Sequence, residues 1–98
     1  MATTITTLSE IPNAPFYVIT KDTLMSGWGQ AKGLSNKLIL PCLSIEEAEI
    51  VLANAKARGD QSNVTIINRK PRLTGGVLWQ VMEKTRSTSR WYEPGGFE

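Results

Sequence analysis

The sequence predicts a small α+β domain, with a four-stranded sheet and one helix packed on one face. Two observations lead to this fold class. Four short segments are rich in β-branched and aromatic residues, and one segment has helical periodicity with clear start and stop signals. The helical segment lies between the second and third strand segments, so the expected element order is β-loop-β-α-β-β.

The first two predicted strands flank a glycine-rich loop. Residues 16–20 are aromatic and β-branched and follow a proline, which predicts the first strand. Residues 37–42 predict the second strand, with Pro41 near its end, where a missing N–H is tolerated. Residues 21–36 have neither helical nor strand periodicity and carry three glycines around Trp28, so we expect a long ordered loop.

Residues 45–58 carry the clearest helix signal in the chain. Ser44 followed three residues later by Glu47 has the spacing of a capping box, which predicts that the helix starts at Ile45. Gly59 directly follows the last basic residues and is typical of a left-handed C-terminal stop. On a helical wheel, one apolar face is expected to cover the sheet: Ile45, Ala48, Val51, Leu52 and Ala55.

The second half of the chain predicts two more strands, at residues 63–68 and 77–82. The basic segment 69–76 between them is too long for a two-residue hairpin turn. Residues 1–15 contain no Lys or Arg and end in a Pro-Asn-Ala-Pro turn, which predicts a flexible N-terminal arm. The single domain is therefore expected to comprise residues 16–98, with the aromatic C-terminal tail packed back onto it.

The composition narrows the function classes. The chain is 41% hydrophobic and 20% charged, as in an ordinary globular protein, and it contains no histidine. The absence of histidine excludes Ser-His-Asp and Cys-His nucleophile chemistry and every imidazole metal site. We therefore expect a protein that is not an enzyme and that uses no metal and no cofactor. A single cysteine permits no intramolecular disulfide, and no apolar run is long enough to span a membrane, so we expect a cytoplasmic location and no membrane partner.

Two motifs resemble functional sites, one a dinucleotide-binding loop and the other a reactive cysteine, but the residues around them do not fit those sites. The glycine-rich loop has the spacing G-x-G-x-x-x-G and precedes a predicted strand, whereas a dinucleotide site needs a helix N-terminus there. Either the glycines let Trp28 fold beneath the loop, or the loop presents Trp28 to a partner as an interface anchor. Cys42 precedes the predicted helix, a position that lowers a thiol pKa, but its place at the end of an apolar strand predicts a buried structural residue.

The charge is distributed unevenly along the chain. Residues 1–63 carry five basic and six acidic side chains, net −1, and residues 64–98 carry six basic and three acidic, net +3, which together give the chain's +2. The basic residues of the second half alternate with large aromatics, a mixture that nucleic-acid binders use for phosphate contacts and base stacking. Two other interpretations are a basic face that contacts only solvent and a surface that binds an acidic protein. The sequence is compatible with all three interpretations, including nucleic-acid binding.

The element order, the segment Met25-Ser26-Gly27-Trp28-Gly29 and the C-terminal run from Arg90 to Phe97 resemble small accessory proteins of phages, prophages and plasmids. The resemblance spans residues 16–97. It implies a stand-alone protein that acts by binding a host component, as anti-CRISPR and other counter-defence inhibitors do.

We therefore expect a non-enzymatic binding protein that inhibits or modulates a host protein or nucleoprotein complex by protein-protein contact in the host cytoplasm. The alternative is a small nucleic-acid-binding protein that uses the basic C-terminal half. Because the chain is basic, steric blocking or contact with an acidic surface is expected rather than imitation of DNA. The expected contact residues are Trp28, Arg69, Lys70, Arg72, Arg86, Arg90, Trp91 and Tyr92.

Overall fold

Five strands and one helix make up the regular structure of the described residues. The computed structural model describes residues 3–22 and 35–97. The elements are β1 (Thr3–Ile5), β2 (Phe16–Asp22), β3 (Ser35–Cys42), α1 (Ile45–Arg58), β4 (Gln61–Ile67) and β5 (Val77–Val81), with short 3₁₀ turns at Leu8–Glu10 and Ser89–Tyr92. The α+β class with a single helix is confirmed, but the sheet has five strands and not the predicted four.

The sheet is mixed, with strand order β1-β5-β3-β2-β4. β3 and β5 run parallel, because the chain returns through α1 and β4 before it enters β5, and the other pairs are antiparallel. The additional strand β1 places Ile5 opposite Trp79 at the edge of the sheet. It is only three residues long and buries only Ile5, so it has no periodicity that the sequence pattern could reveal.

One face of the sheet packs against α1 and the C-terminal segment. Val51 and Ala55 of the helix are fully buried against the strand residues Val18 and Leu40. Trp91 joins the same cluster from the C-terminal segment. The expectation of one helix covering one face is therefore confirmed.

The opposite face of the sheet has its own core. Ile39 and Trp79 are buried there, and the N-terminal segment covers them with Ile11, which is only 2% exposed. The hydroxyl of Tyr17 donates a hydrogen bond to the Pro12 carbonyl (2.6 Å) and accepts one from the backbone N–H of Ala14 (3.0 Å). These bonds tie the segment before β2 to the sheet.

The predicted ends of α1 are confirmed. The Ser44 hydroxyl accepts a hydrogen bond from the Glu47 N–H (3.1 Å), and Gly59 ends the helix with a φ of +78°. The Glu47 carboxylate accepts from the N–H of Leu43 (3.0 Å), one residue before the expected capping-box partner. Ile45, expected on the buried face, is 39% exposed because it begins the helix at the rim of the core.

A buried asparagine fixes the C-terminal segment to the helix. The Asn54 amide nitrogen lies within hydrogen-bond distance of the carbonyls of Arg90 (3.1 Å), Trp91 (3.0 Å) and Glu93 (2.7 Å). Its carbonyl oxygen accepts from the N–H of Gly96 (3.1 Å). No helix within residues 3–22 and 35–97 has the length and apolar character to cross a membrane.

Candidate functional site

The expected contact residues fall into two groups, and one lies outside the described part of the chain. Trp28 belongs to residues 23–34, which the structure does not describe. Arg69, Lys70 and Arg72 lie on the loop between β4 and β5, and we call their loop, residues 68–76, the basic loop. The other four lie in the C-terminal segment: Arg86, Arg90, Trp91 and Tyr92.

The basic loop is held against the sheet by its apolar residues. Pro71 is buried, and Leu73 is half-buried against the core on the face opposite the helix. The indole N–H of Trp79 donates a hydrogen bond to the Thr74 carbonyl (3.3 Å), which fixes the second half of the loop. Arg69 and Arg72 alternate with these anchors and are exposed. The loop therefore presents its charges from a fixed backbone.

An open groove of about 540 Å³ separates the basic loop from the turn that follows β1. Thr6, Thr7 and Leu8 line one side of it and residues 69–73 line the other. The Lys70 ammonium donates a hydrogen bond across the groove to the Leu8 carbonyl (3.4 Å). The Leu8 side chain is 49% exposed, so an apolar contact stands beside the positive charges.

The electrostatics of this groove are dominated by its cations. No carboxylate in residues 3–22 and 35–97 lies within ion-pair distance of Arg69, Lys70 or Arg72, and the ion pairs Arg58–Asp60 (2.8 Å) and Lys84–Glu47 (3.3 Å) lie elsewhere. Among the described residues, the three charges of the basic loop are therefore not neutralised by an ion pair, and the Lys70 ammonium is bound to the Leu8 carbonyl.

The nearby carboxylate of Glu10 is engaged by its own turn. It accepts hydrogen bonds from the backbone N–H groups of Thr6 (3.0 Å) and Thr7 (3.0 Å), and from both hydroxyls. The backbone bond from Thr6, followed by that from Thr7, lowers the Glu10 pKa. This turn is a part of the surface that the sequence reasoning missed, although Thr7 and Glu10 have capping-box spacing, which was the available signal.

The C-terminal group divides between core and surface. Trp91 is 9% exposed and Tyr92 is 4% exposed, and both belong to the helix-side core. The Tyr92 hydroxyl donates a hydrogen bond to the Met82 carbonyl (2.8 Å), so its polar end is also satisfied inside the protein. Arg86 and Arg90 are exposed. Arg90 stacks over Phe97 with its guanidinium carbon 4.6 Å from the ring centroid.

The structure does not bring the two basic groups together. Arg69 lies beside Ile45, the first residue of α1, where both line one shallow hollow. The backbone of Arg90 is bound to Asn54, nine residues further along the helix. Nine residues correspond to about 13 Å along a helix axis. The basic loop and the C-terminal arginines therefore lie on separate parts of the surface.

Three large aromatic residues of the second half, Trp79, Trp91 and Tyr92, do not form a stacking surface. Trp79 is 6% exposed, and the rings of Trp91 and Tyr92 are buried as described above. Base stacking requires an accessible ring face. The rings of Trp79, Trp91 and Tyr92 are therefore not accessible for base stacking.

Cys42 is buried, as expected. It has no exposed surface, and burial, followed by the negative charge of Glu47, raises the pKa of its thiol to about 12. Its thiol donates a hydrogen bond to the Leu40 carbonyl (3.4 Å). Within the described ranges, no group of three or more acidic or cysteine side chains is arranged to hold a metal ion.

Comparison with protein families, curated proteins and solved structures found no match.

Proposed function

We propose that this protein is a non-enzymatic binding protein whose basic loop contacts an acidic surface of a partner protein. The observation that carries the proposal is the set of three cationic side chains, Arg69, Lys70 and Arg72, around an open groove, without an ion-pair partner among the described residues. Complementary charge steers association and selects the partner. The exposed Leu8 adds an apolar contact on the side of the groove opposite the basic loop.

The burial of the aromatic residues favours a protein partner over a single-stranded nucleic acid. Non-specific binders of single strands combine a basic groove with exposed rings, and Trp79, Trp91 and Tyr92 are in the core. The hydroxyls of Thr6 and Thr7, which line the groove, already donate to Glu10. The groove therefore offers the charges of the basic loop, with few free hydroxyl groups beside them.

The biological role that fits this surface is inhibition or modulation of a host complex by steric blocking. That part of the proposal rests on the resemblance to accessory proteins of phages and plasmids. A protein of 98 residues that binds through one face covers an acidic site on a larger assembly without any chemistry of its own.

A charge reversal on the basic loop tests the proposal. The tagged wild-type chain, an Arg72→Glu variant and an Lys56→Glu control are used to capture partners from a host-cell lysate. Both positions are exposed, and the control makes the same charge change on α1. We expect a specific protein to be retained by the wild type and the control, and its affinity for Arg72→Glu to fall by about tenfold or more, because like charges then face each other.

Equal retention by all three proteins would contradict the role of the basic loop. Failure of the folded wild type to retain any protein would contradict the binding function.

The second candidate is a nucleic-acid-binding protein that uses phosphate contacts alone. The net charge of +3 after residue 64 favours it. Three phosphate contacts predict that the logarithm of the affinity for duplex DNA falls with the logarithm of the salt concentration at a slope of about −3. Titration of a labelled duplex at low salt separates the candidates, since absence of binding there removes this one.

A further inference from the structure

The strand β4 leaves an unusual edge on the sheet. Within the described residues, it pairs only with β2, and it forms one end of the strand order. It is seven residues long, whereas β1 at the opposite edge has three. Natural proteins protect exposed edges with charged residues or proline, and the sequence of β4, QSNVTII, contains neither.

The hydrogen bonds of β3 show which of its backbone groups point toward β5 and which point toward β2. The Met82 N–H donates to the carbonyl of Ile39 (2.9 Å), and the Ser35 N–H donates to the carbonyl of Gly76 (3.1 Å). Ser35 and Ile39 therefore direct their backbone groups toward β5. Backbone groups alternate in direction along a strand, so Leu40 directs its groups toward β2.

The same alternation continues across β2 to β4. Ile19 lies opposite Ile39, and their pair is not hydrogen-bonded because Ile39 is bonded on the β5 side; Ile19 must then direct its groups toward β4. Ile19 pairs with Thr65 of β4, and Tyr17, two residues earlier in β2, pairs with Ile67. These two pairs are the hydrogen-bonded ones. The N–H and C=O of Ile66, which lies between Thr65 and Ile67, point away from the sheet, as do those of Val64.

A shallow hollow of about 460 Å³ lies beside this edge on the helix side. Phe16, Ile45 and Ile66 give it an apolar lining. The side chain of a residue paired opposite Ile66 from outside would lie on this face, next to Ile66 itself. The edge therefore offers outward hydrogen-bonding groups and a place for an apolar side chain.

We propose that β4 pairs antiparallel with β4 of a second copy of this chain, with the two-fold axis at Ile66. Beyond the irregularity at Asn63, which has a φ of +52°, Val64 and Ile66 are the residues of β4 whose backbone groups point outward, and Ile66 is the one that lines the apolar hollow. In this register Ile66 exchanges two hydrogen bonds with Ile66 of the other copy, and Val64 lies opposite Asn68, the residue that follows β4. The two Ile66 side chains meet beside the apolar hollows, so the strand supplies both the groups to be paired and the residue that fits.

Charge does not oppose this pairing. The residues that meet across the axis, 64–68, are uncharged. Arg69 of one copy lies about 20 Å from Arg69 of the other along the paired strands, at about 3.4 Å per residue. This exceeds the screening length of about 8 Å at physiological salt. The inference stands independently of the proposed function.

Amide hydrogen exchange of the full-length protein tests the proposal without any substitution. The amides of Thr65 and Ile67 bond to β2 and are expected to be protected at every protein concentration. Those of Val64 and Ile66 face outward in a single copy and are expected to become protected as concentration rises over about a hundredfold range, in parallel with a doubling of the 10.8 kDa mass in light scattering. Fast exchange at Ile66 with an unchanged mass over that range would overturn it.

A Val64→Pro variant provides the second test. The proline removes an outward N–H from each copy and none from the ladder with β2, so we expect the dimer dissociation constant to rise by about tenfold or more. Circular dichroism checks that the variant folds, and Thr65→Lys on the same edge replaces it if it does not. Thr3→Lys, which places the same charge on the exposed edge strand β1, is the matched control and is expected to leave the dimer unchanged. Equal dissociation constants for the wild type and the edge variants would refute pairing through β4.

Discussion

Replacement of Asn54 by alanine is expected to release the C-terminal segment from the helix. Asn54 is 2% exposed, and it is the side chain of α1 that holds the backbone of residues 90–96. Its amide nitrogen, which carries two hydrogens, lies within hydrogen-bond distance of the carbonyls of Arg90, Trp91 and Glu93, and its carbonyl oxygen accepts from the N–H of Gly96. Alanine removes all four contacts and leaves the buried Trp91 carbonyl without this donor.

The expected loss of stability follows from the burial of these groups. A buried carbonyl left without its partner costs about 1–3 kcal/mol, and the second donated bond and the bond accepted from Gly96 contribute about 0.5–1 kcal/mol each. The sum is about 2–5 kcal/mol, a large share of the roughly 5–15 kcal/mol that stabilises a domain of this size. The midpoint of thermal unfolding should fall by about 10 °C or more.

Chemical unfolding followed by circular dichroism and tryptophan emission measures this loss. Trp91 lies in the segment that Asn54 holds, so we expect a red shift of its emission in the Asn54→Ala variant before the helix unfolds. Asn13→Ala, at an exposed position, is the matched control and should stay within about 0.5 kcal/mol of the wild type. A loss below about 1 kcal/mol for Asn54→Ala would refute the reasoning.

Three further predictions concern the reactivity of the Cys42 thiol, the close approach of Gly96 to the Arg90 carbonyl, and the loss of folding stability at low pH. The Cys42 thiol, whose pKa burial raises to about 12, should react with a disulfide reagent at pH 8 only as the protein unfolds, and rapid labelling of the native state would contradict its burial. Gly96→Ala should destabilise the protein by about 2 kcal/mol or more, because its Cβ would overlap the Arg90 carbonyl; Gly75→Ala, which meets nothing within 4 Å, is the control for the same unfolding measurement. The hydrogen bond from Arg58 lowers the Asp60 pKa, so its stabilising contribution is present above the unfolded pKa of about 3.9 and is lost as pH falls through the folded pKa; Asp60→Asn should flatten this part of the pH-stability curve, and an unchanged curve would exclude the contribution.

Local signals were sufficient to predict α1 and the positions of four strands. The cap at Ser44 and the stop at Gly59 depend on residues that are neighbours in the chain, and the structure places the ends of α1 at the expected residues. The strands were recognised from β-branched runs, with ends that differ by a few residues. β3 begins at Ser35 and not at Lys37, because its pairing with β5 extends beyond the apolar run.

The contacts between distant segments were not visible in the sequence. β1 forms because β5 offers it an edge, and Ile5 gains burial only beside Trp79. Asn54 lies among apolar positions of α1, and its role depends on a tail more than thirty residues away. Hydrogen bonds of this kind carry no local periodicity, so a pattern search does not detect them.

For the candidate site, residue identity alone fixes which side chains carry charge, whereas the packing of the chain sets which of them are exposed. The basic loop was predicted from its composition, and the anchoring of Pro71 explains why Arg69 and Arg72 remain exposed. Tryptophan and tyrosine occur both in protein cores and at interfaces. Burial against α1 places Trp91 and Tyr92 in the core. Charge is a property of each residue, whereas exposure is a property of the whole packed chain, and for that reason the surface had to come from the fold.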